Sequence, residues 1–479
     1  MSDVPALPSL QDIASCVAGY DPNALSVEHA QQFIERFVPR VGAVEQLALR
    51  AALGRVLARD LVSHIDVPAN DNSAMDGYAL RSTDLKSGAP TVLRVAGTGL
   101  AGQQYEGKVA AGECVRIMTG AVMPGDLDTV VPQEFVVLMP AAQDDSRPPP
   151  RSTGEGHITV PAGIVRPGDN RRLAGEDLAR GETALAAGRV LRPADIGLAA
   201  SLGRAELPVH RRLRVAFFST GDELRSIGEP LDAGCVYDSN RYTIHAMLTR
   251  LGVELLDLGV VRDDPGALEA AFRSACENAD AVITSGGVSV GEADHTKQVM
   301  ARLGEVAFWR IAMRPGRPMA FGRIASNGHT AVLFGLPGNP VAVMVTFYAF
   351  VRGALLAMAG AAPIALPLLR ARAALAIRKK PGRTEYQRGI VTRAADGDWD
   401  VALTGAQGWH PALDVGRQRP GGAAPRAGFG GRGRTCRRAA VRRLAVAGVR
   451  LRSVVGQRRL SGAQQCGWVG HAIGTFDSH

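Results

Sequence analysis

After Leu207 the apolar positions settle into a rhythm: a run of consecutive hydrophobic residues, a turn rich in Gly, Asp or Asn, then a longer amphipathic stretch. Uninterrupted apolar runs suit strands buried on both faces, and the amphipathic stretches between them suit crossover helices. A unit of about thirty residues built this way predicts a parallel sheet with right-handed crossovers. The strands are expected at Leu213–Ser219, Glu254–Val261, Ala279–Ile283 and Ala331–Phe334, with helices at Asn240–Leu251 and Gly266–Asn278 and a further one after Asp294. Earlier in the chain, Ser26–Val38 has helical spacing behind a serine cap. Thr91–Ala96, Glu113–Met118 and Thr129–Val137 alternate as strands broken by Gly and Pro, which predicts a small β-rich domain. Residues 66–79 and 144–156 are turn and loop sequence, residues 1–24 lack periodicity and are expected to be flexible, and Leu368–Ile377 and Tyr386–Thr392 predict a last β-rich piece. The fold class expected is multidomain α/β plus β around a central parallel sheet.

A chain of 479 residues holds roughly three or four domains, and 46% apolar residues suffice for their cores. No unbroken apolar stretch is expected to span a bilayer, and the opening residues lack the features of a secretory signal, so a cytoplasmic location is expected. Cysteines 16, 114, 235, 276, 436 and 466 are scattered, with neither a disulfide framework nor zinc spacing. The formal charge of +9 is local: residues 409–479 contain thirteen arginines, no lysine and two acids, a surplus of eleven, so the remainder sits at minus two. The basic pI therefore belongs to the tail, and an RNA-binding reading would rest on the tail alone.

The candidate chemistry lies in the loops of the parallel sheet. Residues 284–294, T-S-G-G-V-S-V-G-E-A-D, follow a strand and open on a Ser-Gly-Gly turn. Such a turn leaves backbone N–H groups free and lets a phosphate approach without Cβ interference. Glu292 and Asp294 close the segment as possible cation or proton handlers. The first strand ends in S-T-G-D-E-L, placing Asp222 and Glu223 at the same edge, where they could either hold a cation or simply cap a helix. Y-D-S-N-R at 237–241, V-R-D-D-P at 261–265 and G-L-P-G-N-P at 335–340 supply further loops, and W-R-I-A-M-R-P-G-R-P brings Arg310, Arg314 and Arg317. Arginines beside a nest suit a phosphorylated ligand or an oxyanion. A solvated charged face is the bland alternative, and the convergence of five such loops on one sheet edge weighs against it.

The motifs D-N-S-A-M-D-G-Y-A, R-I-M-T-G-A, R-R-L-A-G-E-D, F-S-T-G-D-E-L, Y-D-S-N-R, S-G-G-V-S-V-G-E-A-D, R-P-G-R-P and G-L-P-G-N-P, in this order, resemble the molybdopterin molybdenumtransferases, a family that includes the carboxyl-terminal domain of gephyrin. The resemblance runs from about residue 25 to Gly408. It implies insertion of molybdenum from molybdate into adenylated molybdopterin with release of AMP, a divalent cation, Mg²⁺, taking part. It further implies a homodimer that receives its substrate from a molybdopterin adenylyltransferase. The domains it implies are an elongated linking domain (25–62 with 160–205), a small β-rich domain (63–159), a molybdopterin-binding α/β domain (206–358) and a truncated β-rich carboxyl-terminal domain (363–408). Carried over motif by motif, catalytic roles fall on Asp76, Thr119, Asp177, Glu223, Asp263, Asp294, Arg310, Arg314 and Arg388, with Glu223 and Asp294 as metal ligands. Ligand-binding roles fall on Thr220, Gly221, Asp222, Asp238 and Asn240, on Ser285, Gly286, Gly287, Val288, Ser289 and Gly291, and on Pro337, Gly338, Asn339 and Pro340. Relatives often have lysines where this chain has arginines around the R-P-G-R-P motif, a change that keeps the charge and exchanges a point donor for a planar fork.

Past Gly408 the resemblance stops, and arginine-rich sequence without β periodicity begins at Trp409. Dropping the first base of the Trp409 codon lets the following codons read Gly-Ile-Leu, and residues 412–424 and 437–444 can then yield family-like stretches in one alternative frame. A shifted reading frame after Gly408 is expected, with a disordered 409–479 tail and impaired activity. Two rival functions stand beside the transferase. The adenylating sibling lacks the region that contains D-N-S-A-M-D-G-Y-A, and a scaffold role is disfavoured by the filled acidic positions and the absence of a fused amino-terminal domain.

Overall fold

The structure is a computed structural model that describes residues 9–16, 20–139, 156–288, 294–364, 369–377 and 381–404 together with three short strands beyond them. The chain divides into two compact units, one formed by residues 1–58, 188–192 and 207–479 and the other by 59–187 and 193–206.

In the larger unit the central sheet has six strands in the order Glu254–Val261, Arg214–Thr220, Ala281–Ser285, His329–Leu336, Pro318–Ser326, Gly304–Arg310. The first four are mutually parallel, as the sequence predicts. The last two were not expected: Pro318–Ser326 pairs antiparallel with both His329–Leu336 and Gly304–Arg310. Two reversals return Gly304–Arg310 to the direction of the parallel set.

Alternation along the strands splits the core in two. Val215, Phe217, Ile283 and Phe334 face one side, where they meet Phe33 and Phe37 of the helix Val27–Phe37 and Phe347 and Phe350. Ala216, Phe218, Val282 and Leu333 face the other and meet Leu268 and Phe272 of Pro265–Asn278 and Val299 and Met300 of Asp294–Leu303. Ser26 caps the first helix by accepting from the His29 N–H, as expected. Phe33, Trp309 and Phe321 form an aromatic wedge, with centroids 5.1 Å apart for the first pair and 5.3 Å for the second. Each such pair adds about 1 kcal/mol beyond its buried area.

One expectation changes and two others gain detail. The stretch 1–24 includes a helix, Leu10–Ser15, held by a reciprocal Ser9–Asp12 capping box and by Glu305 accepting the Leu10 N–H at 2.6 Å. The 19-residue helical stretch Pro340–Met358 is long and apolar enough to cross a bilayer, but Arg352 interrupts the apolar run, and the stretch covers the central sheet and is largely buried there. The tail expected to be disordered falls mostly outside the described residues. Arg443–Leu444, Arg450–Leu451 and Gly470–Phe476 are strands, and the last pairs antiparallel with Thr384–Arg393 in a sheet that also includes Arg370–Ala373 and Trp399–Leu403.

The smaller unit contains a six-stranded sheet in the order Thr129–Pro132, Gly77–Leu80, Glu113–Ile117, Thr91–Gly99, His157–Val160, Val137–Met139. Part of the expected turn sequence 66–79 is thus a strand. Gly77 permits it, because a Cβ there would lie 2.1 Å from the Val131 carbonyl oxygen of the neighbouring strand.

Candidate functional site

The loops at the carboxyl end of the parallel strands are joined by hydrogen bonds. Asn240, buried on the first turn of Ser239–Leu251, donates from Nδ2 to Ser285 Oγ at 2.9 Å and to the Gly338 carbonyl at 2.7 Å. One side-chain amide therefore connects the Y-D-S-N-R, Ser-Gly-Gly and G-L-P-G-N-P loops. Asp238 caps the Asn240 helix by accepting from the Arg241 N–H, and Asn339 caps Pro340–Thr346 by accepting from Val341 and Ala342, with Pro340 in the first turn. Pro337 and Gly338 lie between the strand His329–Leu336 and that cap.

Gly286 (φ 98°) and Gly287 (φ 65°) take left-handed backbone open to glycine, but the turn is less free than expected: the Gly286 N–H donates to the Leu336 carbonyl of the neighbouring strand at 3.1 Å. A Cβ at Gly286 would meet the Thr220 carbonyl oxygen at 2.4 Å, and one at Gly287 would meet Thr296. Val288 is buried beneath the turn. Ser289, Gly291 and Glu292 lie outside the described residues, as does the side chain of Asp294, the first residue of Asp294–Leu303.

The same edge holds buried polar atoms that no described residue satisfies: Ser219 Oγ, Thr220 Oγ1, Asp238 Oδ2, Asn240 Oδ1, Thr284 Oγ1 and Thr296 Oγ1. Orphaned buried polar groups cost about 1–3 kcal/mol each unless water or a ligand engages them, so their concentration here marks a site for a polar ligand. Ser219 and Thr284 lie within the motif segments but carry no role assigned from them, and Thr296 lies outside the motifs. A hydroxyl at the end of an otherwise apolar strand is the signal that exposes the first two; nothing local exposes Thr296, which tertiary packing places against Gly287.

Acids gather beside the nest. Gly221 follows the central strand, and the Asp263 N–H donates to Asp222 Oδ1 at 3.3 Å. No helix follows Asp222 and Glu223, so the capping alternative for them fails; a short strand, Leu224–Arg225, comes next. Burial, then the negative charges of Asp222 and Glu223, push the Asp263 carboxyl above its ordinary value, with His295 opposing. Oxygen donors of this kind suit a hard cation. Among the described residues, however, no three His, Cys, Asp or Glu stand close enough to hold a metal by themselves.

The arginines reach this edge through the antiparallel hairpin. Arg310 pairs with Pro318, and two residues on Ala320 pairs with Gly335, so Arg310 stands level with the G-L-P-G-N-P loop. Its side chain and those of Arg314 and Arg317 are exposed. Arg314 is register partner to Glu385 of Thr384–Arg393, the strand that also contains the buried Arg388.

Asp76, Thr119 and Asp177 belong to the smaller unit. Asp76 Oδ1 accepts from both the Thr119 N–H and its hydroxyl at 2.7 Å, and these bonds, the backbone one foremost, hold the carboxyl below its usual value. Asp177 pairs with Arg172 at 2.5 Å, and Arg171–Arg172 is paired with Asn72–Ser73, which ties the two segments together.

Fold and edge together define a class, that of open α/β-sheet proteins whose polar-ligand site lies where the carboxyl-end loops converge. Residues 25–203 match the family described as MoeA N-terminal region (domain I and II), and residues 216–357 the probable molybdopterin binding domain. A molybdopterin molybdenumtransferase of Haemophilus influenzae is 40% identical over 387 residues, 81% of this chain and 91% of that protein. One from Nostoc sp. is 38% identical over 344 residues, 70% of this chain and 75% of that protein. The crystal structure of the molybdopterin biosynthesis moeA protein from Pyrococcus horikoshii OT3 superposes with a TM-score of 0.64 at 26% identity, covering 82% of this chain and 93% of that one. The chain belongs to the molybdopterin molybdenumtransferase family and is a transferase of molybdenum cofactor biosynthesis.

Proposed function

We propose that this enzyme transfers molybdenum from molybdate to adenylated molybdopterin and releases AMP. The observation that supports the reading most directly is the group of unsatisfied hydroxyl, amide and carboxyl oxygens beside the Gly286–Gly287 turn. An adenylated pterin brings phosphate oxygens for the nest and N–H and hydroxyl groups for the acceptors. Ser285 and Gly287 would receive the phosphate, with Gly286 tied to the Leu336 carbonyl and giving room for close approach, while Asn240 holds their loop against Gly338. Thr220, Gly221 and Asp238 would line the same pocket, with Val288, Pro337, Asn339 and Pro340 shaping its loops. Arg310, Arg314 and Arg388 would receive molybdate, a tetrahedral dianion matched to guanidinium forks.

Mg²⁺ fits the donor chemistry of Asp222, Glu223 and Asp263, with Asp294 a further candidate ligand. Because the described carboxylates do not preassemble a complete set, protein and phosphate oxygens would share the ion, as is usual for Mg²⁺. Bound there, it would neutralise charge on the phosphoanhydride. A cation bound there would offset the burial and the Asp222 and Glu223 charges that push the Asp263 carboxyl up.

Asp76, Thr119 and Asp177 form a second group, which we assign to the cleft that a homodimer would complete, with substrate handed over by an adenylyltransferase. The layout into linking, small β-rich, molybdopterin-binding and carboxyl-terminal domains and a cytoplasmic location are part of the same reading. We also propose that the chain leaves its ancestral reading frame after Gly408 and that activity is thereby impaired; a single-frame resequencing read through the Trp409 codon would defeat that idea.

Incubation with adenylated molybdopterin, molybdate and Mg²⁺ tests the function. AMP release with formation of active cofactor is expected, and chelation by EDTA should abolish it. ATP-dependent adenylation of molybdopterin would instead favour the sibling activity, and binding without turnover a scaffold.

A further inference from the structure

The parallel strands have a second end, and charged chemistry is concentrated there too. Arg214 and Glu254, the first residues of adjacent strands, are register partners. With Arg211, Arg212, Glu45 and Arg55 they line an open cavity of about 270 Å³. The strand Arg214–Thr220 separates this cavity from the Thr220 edge by about 20 Å at the usual rise per residue.

Two of the four arginines are already fixed in place. Arg55, 8% exposed, donates from Nη2 to Glu45 Oε2 and to the His210 carbonyl, both at 2.8 Å. Arg211 grips Asp280 with both terminal nitrogens, at 2.8 and 2.6 Å. The other two, Arg212 and Arg214, are exposed, and their guanidinium groups make no hydrogen bond or ion pair among the described residues. The backbone N–H of Arg214 is occupied by Asp280 at 2.8 Å, which leaves the side chain as its recognition element. Glu45 is committed to Arg55, and Asp280, outside the lining, to Arg211, so Glu254 is the one uncommitted acid of the lining facing two forks that make no hydrogen bond or ion pair among the described residues.

We infer that this cavity binds a tetrahedral dianion, free or as the phosphate head of a small metabolite, through Arg212 and Arg214. Guanidinium forks bind such oxygens bidentately. Arg55 and Arg211, immobilised by their own ion pairs, contribute field without a further ordering cost. Glu254 keeps the free site from an excess of positive charge and weakens the ligand in proportion. The cavity is larger than a bare oxyanion, which leaves room for a small organic group or for water.

Calorimetric titration of the full chain with inorganic phosphate and, separately, glycerol phosphate tests the inference. A saturable class beyond that of the carboxyl-end site is expected, and this class should weaken by about tenfold or more in R212A/R214A because charge-assisted bonds are removed. E254Q should tighten binding several-fold. Thermal stability of the double variant should stay close to the parent's, since neither side chain makes a hydrogen bond or ion pair among the described residues and Arg214 adds only the weakest of the attractions on Asp280, and this separates lost binding from lost folding. Equal affinity for the two ligands assigns the site to the free anion, and a preference for glycerol phosphate assigns it to a phosphorylated metabolite. A parent in which every saturable class survives R212A/R214A unweakened, or which shows no saturable binding, would overturn the inference.

Discussion

Gly286→Ala concentrates the steric argument for the nest in one methyl group. The residue has φ 98°, and its Cβ would stand 2.4 Å from the Thr220 carbonyl oxygen and 3.0 Å from Thr220 Oγ1. That is roughly 1 Å short of ordinary contact with an oxygen that belongs to the backbone of a central strand and cannot rotate away. The left-handed backbone costs an L-residue about 1–2 kcal/mol, and overpacking adds about 1–3 kcal/mol, so a loss of about 2–5 kcal/mol in urea unfolding is expected. Displacing the turn by that much should lower AMP release by about a hundredfold, the usual consequence of an ångström's misplacement. Gly338→Ala is the control within the same site. Its Cβ would have as nearest neighbour the Gly286 Cα, at 4.0 Å, so stability should stay within about 0.5 kcal/mol of the parent while the methyl group intrudes on the ligand. If Gly286→Ala unfolds with the parent's midpoint and keeps its AMP release, the close approach of Gly286 to Thr220 does not shape the site.

Asn240→Ala should lower stability by about 1–3 kcal/mol by removing donors to Ser285 Oγ and the Gly338 carbonyl. Asn240→Asp should be worse at neutral pH, because a carboxylate would face that carbonyl; equal melting temperatures for the two variants would count against the bridge. Burial is the largest influence on Asp280 and would raise it, but the Arg211 side chain and the Arg214 N–H together outweigh burial and hold the carboxyl below its ordinary value. A depressed folded value means that its stabilising contribution is complete above the ordinary carboxylate value, about 4, and fades as the pH falls through the folded one. Asp280→Asn should therefore cost about 1–3 kcal/mol at neutral pH and flatten the acid limb of the stability profile, and an unchanged limb would refute this. Burial, with Glu113 beside it, pushes the Cys114 thiol up to about 12. Exposed Cys16 should react with a disulfide reagent in the native protein and Cys114 only after unfolding, which timed thiol titration will show.

Much of the central sheet is legible in local sequence, because a strand buried on both faces must be an apolar run and its turn must offer Gly, Asp or Asn. Phe217 and Phe218 illustrate the limit: adjacent in the chain, they enter different cores. The hairpin that includes Pro318–Ser326 went unseen because Gly316, Gly322 and Gly328 punctuate it like loop sequence. Gly322 is needed there, since a Cβ would meet the Glu305 carbonyl oxygen of the adjoining strand at 2.0 Å. The amino-terminal helix Leu10–Ser15 is too short to show periodicity and is held by a capping box and by a long-range bond to Glu305.

By itself the sequence determined the chemical content of the carboxyl-end loops and the family that owns them, because turn chemistry and motif order are local properties. Tertiary structure decided which loops meet. Two chain reversals bring Arg310 level with Gly335–Pro340, Asn240 connects segments far apart in sequence, and Ser219, Thr284 and Thr296 become orphaned acceptors and donors in one place. It also decided that Arg211, Arg212 and Arg214, a plain basic run in the sequence, face Glu254 and Arg55 around a cavity at the other end of the sheet. The reason is the same in each case: strand order and register are set by burying both faces of the sheet at once, a condition on residues distant along the chain that no local pattern contains.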